Sequence, residues 1–286
     1  MTRIWLLIAL LLPLLAQASR ERVDVAVLAP SESFRERFES GLEETRGGRI
    51  EFTSPARASL LLAIGSDAFQ EALDSGKPVI GLMVPRRQAL EAYANGCGCA
   101  AYFAETDPRL QLELLQRLFP GARRVGLLTG PDSLWVSGYL KPHVSGLGLQ
   151  LEHQHLDELP STNALGRQLS RLLSAADVLL AIDEPAIYSA ETARLVLLTS
   201  YRQNKPVVGP DDRFVGAGSV ASVYYSGQDM VNQAARAISN YLGSGRFPSP
   251  DYPRYFSVAV NEHVARTYDA ASVDAAELLD ALGGGR

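Results

Sequence analysis

The sequence predicts an α/β protein built on parallel sheets, and three features point there. Short runs of β-branched and other apolar residues recur along the chain, bounded by Gly, Pro or Ser. Between them lie segments with apolar residues at i, i+3 and i+4, as in a helix with one buried face. The two kinds alternate from residue 23 onward, which implies helices on both faces of parallel strands.

Residues 23–29 read as the first strand, closed by Pro30. A helix follows over 31–46, with Phe34, Phe38 and Leu42 on one face and Gly47-Gly48 as its stop. Residues 49–53 form a second strand, and the wholly apolar 60–64 a third. Ser66 or Asp67 is placed to cap the next helix, which runs to Leu73. Lys77-Pro78 introduces a strand over 79–84 that Pro85 ends, and after the Gly96–Gly98 break 100–103 is a short strand. A helix over 107–119 lines up Leu110, Leu114, Leu115 and Leu118, and strand 124–130 runs into Gly130-Pro-Asp-Ser133. Then come strand 149–156, helix 161–175, strand 178–182, helix 189–204 and strand 207–209. A strand at 220–225, a helix at 228–242, a strand at 255–260 and helical closing segments complete the chain.

Residues 1–18 read as a secretory signal peptide. Arg3 supplies the charge, Leu6 to Leu15 is apolar except for Pro13, and Ala16-Gln17-Ala18 is the small-residue exit. The apolar run is about half the length a spanning helix needs. No cysteine follows it, so a bacterial lipid anchor is not expected. A mature chain from about Ser19 has 268 residues, enough for two lobes of roughly 100–150 each. The expected location is the periplasm.

Formal net charge is −5, and −6 without Arg3. With no Lys/Arg block, this composition offers no footing for nucleic acid or anionic lipid. Arg86-Arg87 and Arg123-Arg124 read as solvated faces. Cys97 and Cys99 flank Gly98, too close for a framework disulfide. Three states stay open for them: a small Cys-Gly-Cys ring, free thiols, or a Cu(I) site. His153 and His155 share one side of a strand and, lacking a third ligand nearby, read as solvent-exposed; no metal or cofactor is expected.

In open parallel sheets, ligands bind beyond the carboxyl ends of the strands. That rim holds residues 31–33, 65–67, 131–133, 183–185, 210–212 and 224–226. Many are Gly, Ser or Asp at helix starts, where free N–H groups hold an anion or merely receive a cap. From this rim and the loop behind it the candidate ligand-binding residues are Ser31, Ser66, Ser133, Asp183, Tyr188, Asp212 and Tyr225. Tyr188, Tyr224 and Tyr225 offer stacking faces, although Tyr224 and Tyr225 point to opposite sides of a strand. Ser133, Asp183 and Asp212 offer hydrogen bonds. The sequence has no G-x-S-x-G elbow, Walker A loop, H-E-x-x-H or strand-linked G-x-G-x-x-G. Capture is expected rather than catalysis.

Several stretches resemble one family, the ABC-transporter substrate-binding proteins of the type I periplasmic-binding-protein fold. They are Phe119-Pro-Gly-Ala-Arg-Arg-Val-Gly-Leu-Leu-Thr-Gly-Pro-Asp-Ser133, Lys205-Pro-Val-Val-Gly209, Gly216-Ala-Gly-Ser-Val-Ala-Ser222 and Gln233-Ala-Ala-Arg236. Their order and spacing carry the resemblance, which spans roughly residues 79–242. It implies two Rossmann-like lobes joined by three crossings near Glu105, Tyr225 and Pro250. Lobe one would be residues 19–105 plus 226–250, and lobe two 106–225 plus 251–286. The family often has an acidic residue and two aromatics where the chain returns to lobe one; here that stretch is Ser226-Gly227-Gln228.

The resemblance implies a monomer that captures a small molecule for an ABC permease. The alternative is a ligand-sensing or docking module for a signalling receptor in the inner membrane. Neighbouring permease genes would favour the first, a neighbouring sensor-kinase gene the second.

Overall fold

The computed structural model describes residues 22–46, 50–158, 161–271 and 274–284; the expected signal peptide and the Gly47-Gly48 stop lie outside them. The first half alternates strand and helix: β1 (Val23–Leu28), α1 (Glu32–Arg46), β2 (Ile50–Phe52), β3 (Leu60–Ile64), α2 (Ser66–Asp74), β4 (Val79–Val84), α3 (Arg86–Ala94) and β5 (Cys99–Phe103). Its five strands are parallel, in the order β2-β1-β3-β4-β5. Every residue of β3 is buried, as a strand covered on both faces requires. A Cβ on Gly81 of β4 would lie 2.5 Å from the Phe69 ring of α2, so this strand position is bare to let the helix pack close.

The second half runs α4 (Pro108–Leu118), β6 (Arg124–Thr129), α5 (Trp135–Gly146), β7 (Gln150–His155), α6 (Thr162–Ala175), β8 (Val178–Leu180), α7 (Ala190–Arg202), β9 (Val207–Val208), α8 (Asp212–Ala217) and β10 (Ala221–Tyr224). It ends with α9 (Gly227–Ser244), β11 (Ser257–Val260), α10 (Glu262–Thr267) and α11 (Ala275–Ala281). The sheet order is β11-β10-β9-β8-β6-β7. It departs from an all-parallel sheet at one edge, where β11 pairs antiparallel with β10.

The two sheets share one wiring. The opening strand has the second strand on one side and the third on the other, so the winding reverses between β1 and β3, and again between β6 and β8. These are the switch points at which open α/β sheets hold ligands.

The chain passes between the sheets three times: after β5, after β10 and before β11. α9 follows a second-sheet strand, yet its Val231, Ala234 and Ile238 pack with Val25, Leu42, Leu60 and Ile80 of the first half. Ser226 starts α9 by a reciprocal pair of bonds with Asp229: its Oγ accepts from the Asp229 N–H at 3.1 Å, and Asp229 Oδ2 accepts from the Ser226 N–H at 2.9 Å. Before β11, Asp251 lies beside β5, where the Phe103 N–H donates to its carbonyl at 3.0 Å.

Some expectations change. α3, α5 and α8 are not among the elements read from the sequence, and β8 and β9 are shorter than the apolar runs that announced them. α2 is capped at Gly65 with no side-chain bond, so neither Ser66 nor Asp67 is its cap. Cys97 and Cys99 are joined as a disulfide. His153 is exposed, but His155 is only half-exposed. Thr129 Oγ1 lies 2.8 Å from His153 Nε2 and 3.0 Å from His155 Nδ1, a shared hydroxyl that the reading as free surface residues missed. Among the described residues no group of three or more His, Cys, Asp or Glu is placed to hold a metal, and no helix is long and apolar enough to cross a membrane.

Candidate ligand-binding cleft

A cavity of about 750 Å³ opens at the carboxyl ends of strands from both sheets. Arg86, Arg87 and Leu90 of α3 line one wall. Glu105 and Thr106, in the passage after β5, form its floor, and Asp132, Trp135 and Asp183 face α3 from the second half. The loops carrying Asp132 and Asp183 follow β6 and β8, so this wall is the second sheet's switch point.

Pro85 precedes α3 and brings no side-chain acceptor to its first turn. Glu105 fills that role from across the cavity, its two carboxylate oxygens accepting from the Arg86 N–H at 2.8 and 3.0 Å. A carboxylate is favoured there by the free N–H and the helix dipole. Burial still holds its pKa above the usual carboxylate range, against the pull of those bonds.

The Arg86 guanidinium lies 3.9 Å from the Trp135 ring centroid and 5.7 Å from that of Phe103. This cation–π contact joins the first half to the second across the cavity. Beside it, Arg87 Nη1 is 3.6 Å from Asp132 Oδ1, but both side chains are mostly in water, so the pair contributes little.

Asp183 is the chemically distinctive group. Its Oδ2 accepts from the Thr106 N–H at 2.6 Å. Burial pushes its pKa up to about 7; the Thr106 bond opposes this, while the Glu105 and Asp211 charges add to it. With its pKa at about 7 the carboxyl can hold or release a proton near neutral pH, and so can donate or accept a hydrogen bond.

The three passages converge close by. Asp107, in the first, accepts from the Arg109 N–H at 2.9 Å, from the Arg109 Nη2 at 2.6 Å and from the Tyr139 hydroxyl at 3.2 Å. Burial, then the Asp107 charge, pushes the Tyr139 pKa up to about 12. The same two causes, in the same order, raise Tyr225 in the second passage and Tyr252 beside the third. One carboxylate thus faces tyrosines from both other passages.

Of the sequence candidates, Asp183 lines the cavity. Ser133 does not: it is 2 % exposed, its Oγ accepts from the Gly130 N–H at 3.0 Å and donates to Glu184 at 2.6 Å. A Cβ on Gly130 would lie 2.6 Å from the Glu184 carboxyl carbon, so glycine makes room for this pair. Tyr188 is a core residue, with its hydroxyl donating to the Leu128 carbonyl at 3.3 Å and its ring edge-on to Phe214. Ser31 is exposed and accepts from the Phe34 N–H at 3.3 Å as a helix cap. Ser66 is the exposed first residue of α2, and Asp212 is exposed in α8, whose cap is its neighbour Asp211. Tyr225 is half-buried against the second-sheet core and is not among the lining residues.

Sequence reasoning missed Glu105 as a cavity residue, took Arg86 for part of a solvated face, and missed Trp135 altogether. Arg86-Arg87 directly follows a strand-ending proline, which places it on the same rim as the other candidates; reading the pair as a solvated face overlooked that position.

No protein-family model matches the sequence, and no curated protein matches it. Solved structures do match in fold. A ligand-free, open substrate binding protein with adhesive properties from Clostridium difficile aligns at TM-score 0.61 and 16% identity, over 93% of this chain and 96% of that one. An ABC domain in complex with L-Trp from Streptococcus pneumonia aligns at TM-score 0.54 and 18% identity, over 92% and 99%. A periplasmic ribose ABC transporter protein from Conexibacter woesei aligns at TM-score 0.50 and 14% identity, over 88% and 95%. Identities this low speak to architecture, not to ligand. The chain has the two-lobe, type I periplasmic-binding-protein fold, with the cavity of about 750 Å³ between the lobes.

Proposed function

We propose that this chain is an exported, non-enzymatic solute-binding protein that captures a small molecule between its lobes for an ABC importer. It works as a monomer in the periplasm. In this reading lobe one is residues 19–105 plus 226–250, and lobe two is 106–225 plus 251–286. The observation that carries it is the cavity of about 750 Å³ at the β6/β8 switch point, walled by α3 of one lobe and by Trp135 and Asp183 of the other. That volume falls within the range of small-molecule sites, which are mostly apolar with a few placed polar groups. The bound L-Trp of a similarly folded protein supports it by analogy.

The ligand that fits has a flat or apolar face for Trp135 and Leu90, and a hydrogen-bonding group for Asp183. Its closure between two lobes would present a joint surface to the permease. A thermal-shift screen of amino acids, nucleosides, sugars and small acids tests the reading. At least one class should raise the melting temperature, and Asp183→Ala should abolish the rise. If no class stabilises the protein, capture in this cleft is wrong.

A further inference from the structure

The first lobe carries another cavity, at the end of its sheet opposite the cleft. It holds about 610 Å³ beside the amino ends of β4 and β5, between the end of α3 and the stacked rings of Tyr241 and Phe247. The Cys97–Cys99 disulfide is part of its wall. The two cysteines differ in access. Cys97 is half-buried and lines the cavity. Cys99, the first residue of β5, is 2 % exposed and packs in the core with Leu61, Phe69 and Val79. A sulfur nucleophile therefore meets Cys97 and not Cys99.

This ring does little for the fold. It closes a sequence separation of 2, so it removes little entropy from the unfolded chain. Folding and reduction are linked, and a disulfide that scarcely stabilises the fold is scarcely protected by it. The polar part of the wall indicates the partner. Lys77 and Glu91 bring a charge of each sign and Asn95 an amide. The Lys77 ammonium is fixed by the carbonyls of Pro55, Ala56 and Ala58, at 2.6, 2.8 and 2.8 Å.

We propose that Cys97–Cys99 is a thiol–disulfide exchange site, at which a small polar thiol entering this cavity attacks the Cys97 sulfur and Cys99 leaves. The thiol gives up its proton and bonds to Cys97 Sγ as the Cys97–Cys99 bond breaks. The electron pair of that bond goes to the Cys99 sulfur, which takes up a proton. Cys99 then either expels the thiol and recloses the ring, or waits for a second thiol. That second thiol attacks the sulfur of the first, releases Cys97 as a thiol and departs as the symmetric disulfide. Two thiols are oxidised and one protein disulfide is reduced. The site is independent of capture in the cleft, and either can fail without the other.

Glutathione, a tripeptide thiol with charges of both signs, is the probe. The full chain is equilibrated in buffers of graded reduced and oxidised glutathione, its thiols are blocked by alkylation, and intact mass is read. The disulfide should open and close reversibly across the series while the far-ultraviolet circular dichroism stays unchanged. Cys99→Ser should accumulate one glutathione per chain, mapped to Cys97, because no neighbouring thiol is left to expel it. Cys97→Ser should take up glutathione on the order of tenfold more slowly, since Cys99 is buried. The rate in Cys99→Ser should level off with oxidised glutathione concentration, as prior binding in the cavity requires. A parent disulfide that opens only when urea unfolds the chain overturns the proposal, and this arm needs no substitution. Equal uptake by the two variants also overturns it, and so does a rate that stays proportional to concentration.

Discussion

Ser133 donates its hydroxyl proton to Glu184 at 2.6 Å, tying the loop after β6 to the loop after β8 inside the second lobe. Both side chains are shut off from water, at 2 % and 1 % exposure. Ser133 thus shapes the cleft wall from behind.

Its loss should therefore appear as instability. Ser133→Ala strands a Glu184 oxygen and the Gly130 N–H, at a cost of about 1–3 kcal/mol. A urea melt should show that loss with an unchanged slope. Affinity for a compound found in the screen should stay within about twofold, since one hydrogen bond to ligand would be worth more. A large loss of affinity with normal stability would return Ser133 to the ligand.

Asp183 makes stability depend on pH in a stated direction. Its pKa is raised in the folded protein from 3.8 to about 7, so the native state holds a proton that the unfolded state releases. Its contribution therefore weakens stability as pH climbs from about 4 to 7, and the penalty is fully present above 7. Asp183→Asn should leave stability near its parent value at pH 4 and raise it by about 1–4 kcal/mol at pH 8. Equal effects at both values in paired denaturant melts would mean that Asp183 does not titrate in this window.

The contacts across the cleft should differ in weight. Arg86→Ala should cost about 0.5–2 kcal/mol and uncover the Trp135 ring. In a Trp5→Phe background Trp135 is the sole indole of the chain, so its emission should move to longer wavelength and quench more readily with acrylamide. Arg87→Ala should stay within about 0.5 kcal/mol of the parent, because its pair with Asp132 is solvated. Trp135 fluorescence unchanged in Arg86→Ala would refute the stacking.

The Cys97–Cys99 disulfide closes a sequence separation of 2. Loop entropy for so short a ring is worth only about 1–2 kcal/mol. Replacing both cysteines with serine should lower stability by that amount, and reductant should shift the parent's melt by as much while leaving the variant's unchanged. A loss well beyond it would mean that the ring holds more of lobe one than its own turn.

The local pattern of the chain determined which segments are strands and helices and which faces they bury. The apolar run Leu60 to Ile64 had to be a buried strand, because no other element hides five consecutive apolar residues so short of a helix's length. The leucines of α4 fall on one face by their spacing alone. From alternation followed parallel sheets, and from parallel sheets the rim on which the cavity opens and where Asp183 lies. α3 was invisible because Arg86-Arg-Gln-Ala-Leu-Glu-Ala-Tyr-Ala94 buries only Ala89, too little to write a period.

Which rim residues face the cavity was decided by the tertiary structure alone. Ser133, Tyr188 and Asp183 look alike in sequence, as polar residues after strands. One is turned inward by Glu184, 51 residues away; one is taken into the core by Leu128, 60 residues away; and only Asp183 keeps a face on the cavity. Arg86 and Trp135 were likewise brought together by the approach of two lobes. Periodicity is set by neighbours within a turn or two of the chain, whereas burial of a particular hydroxyl or carboxylate is set by contacts that local sequence does not encode.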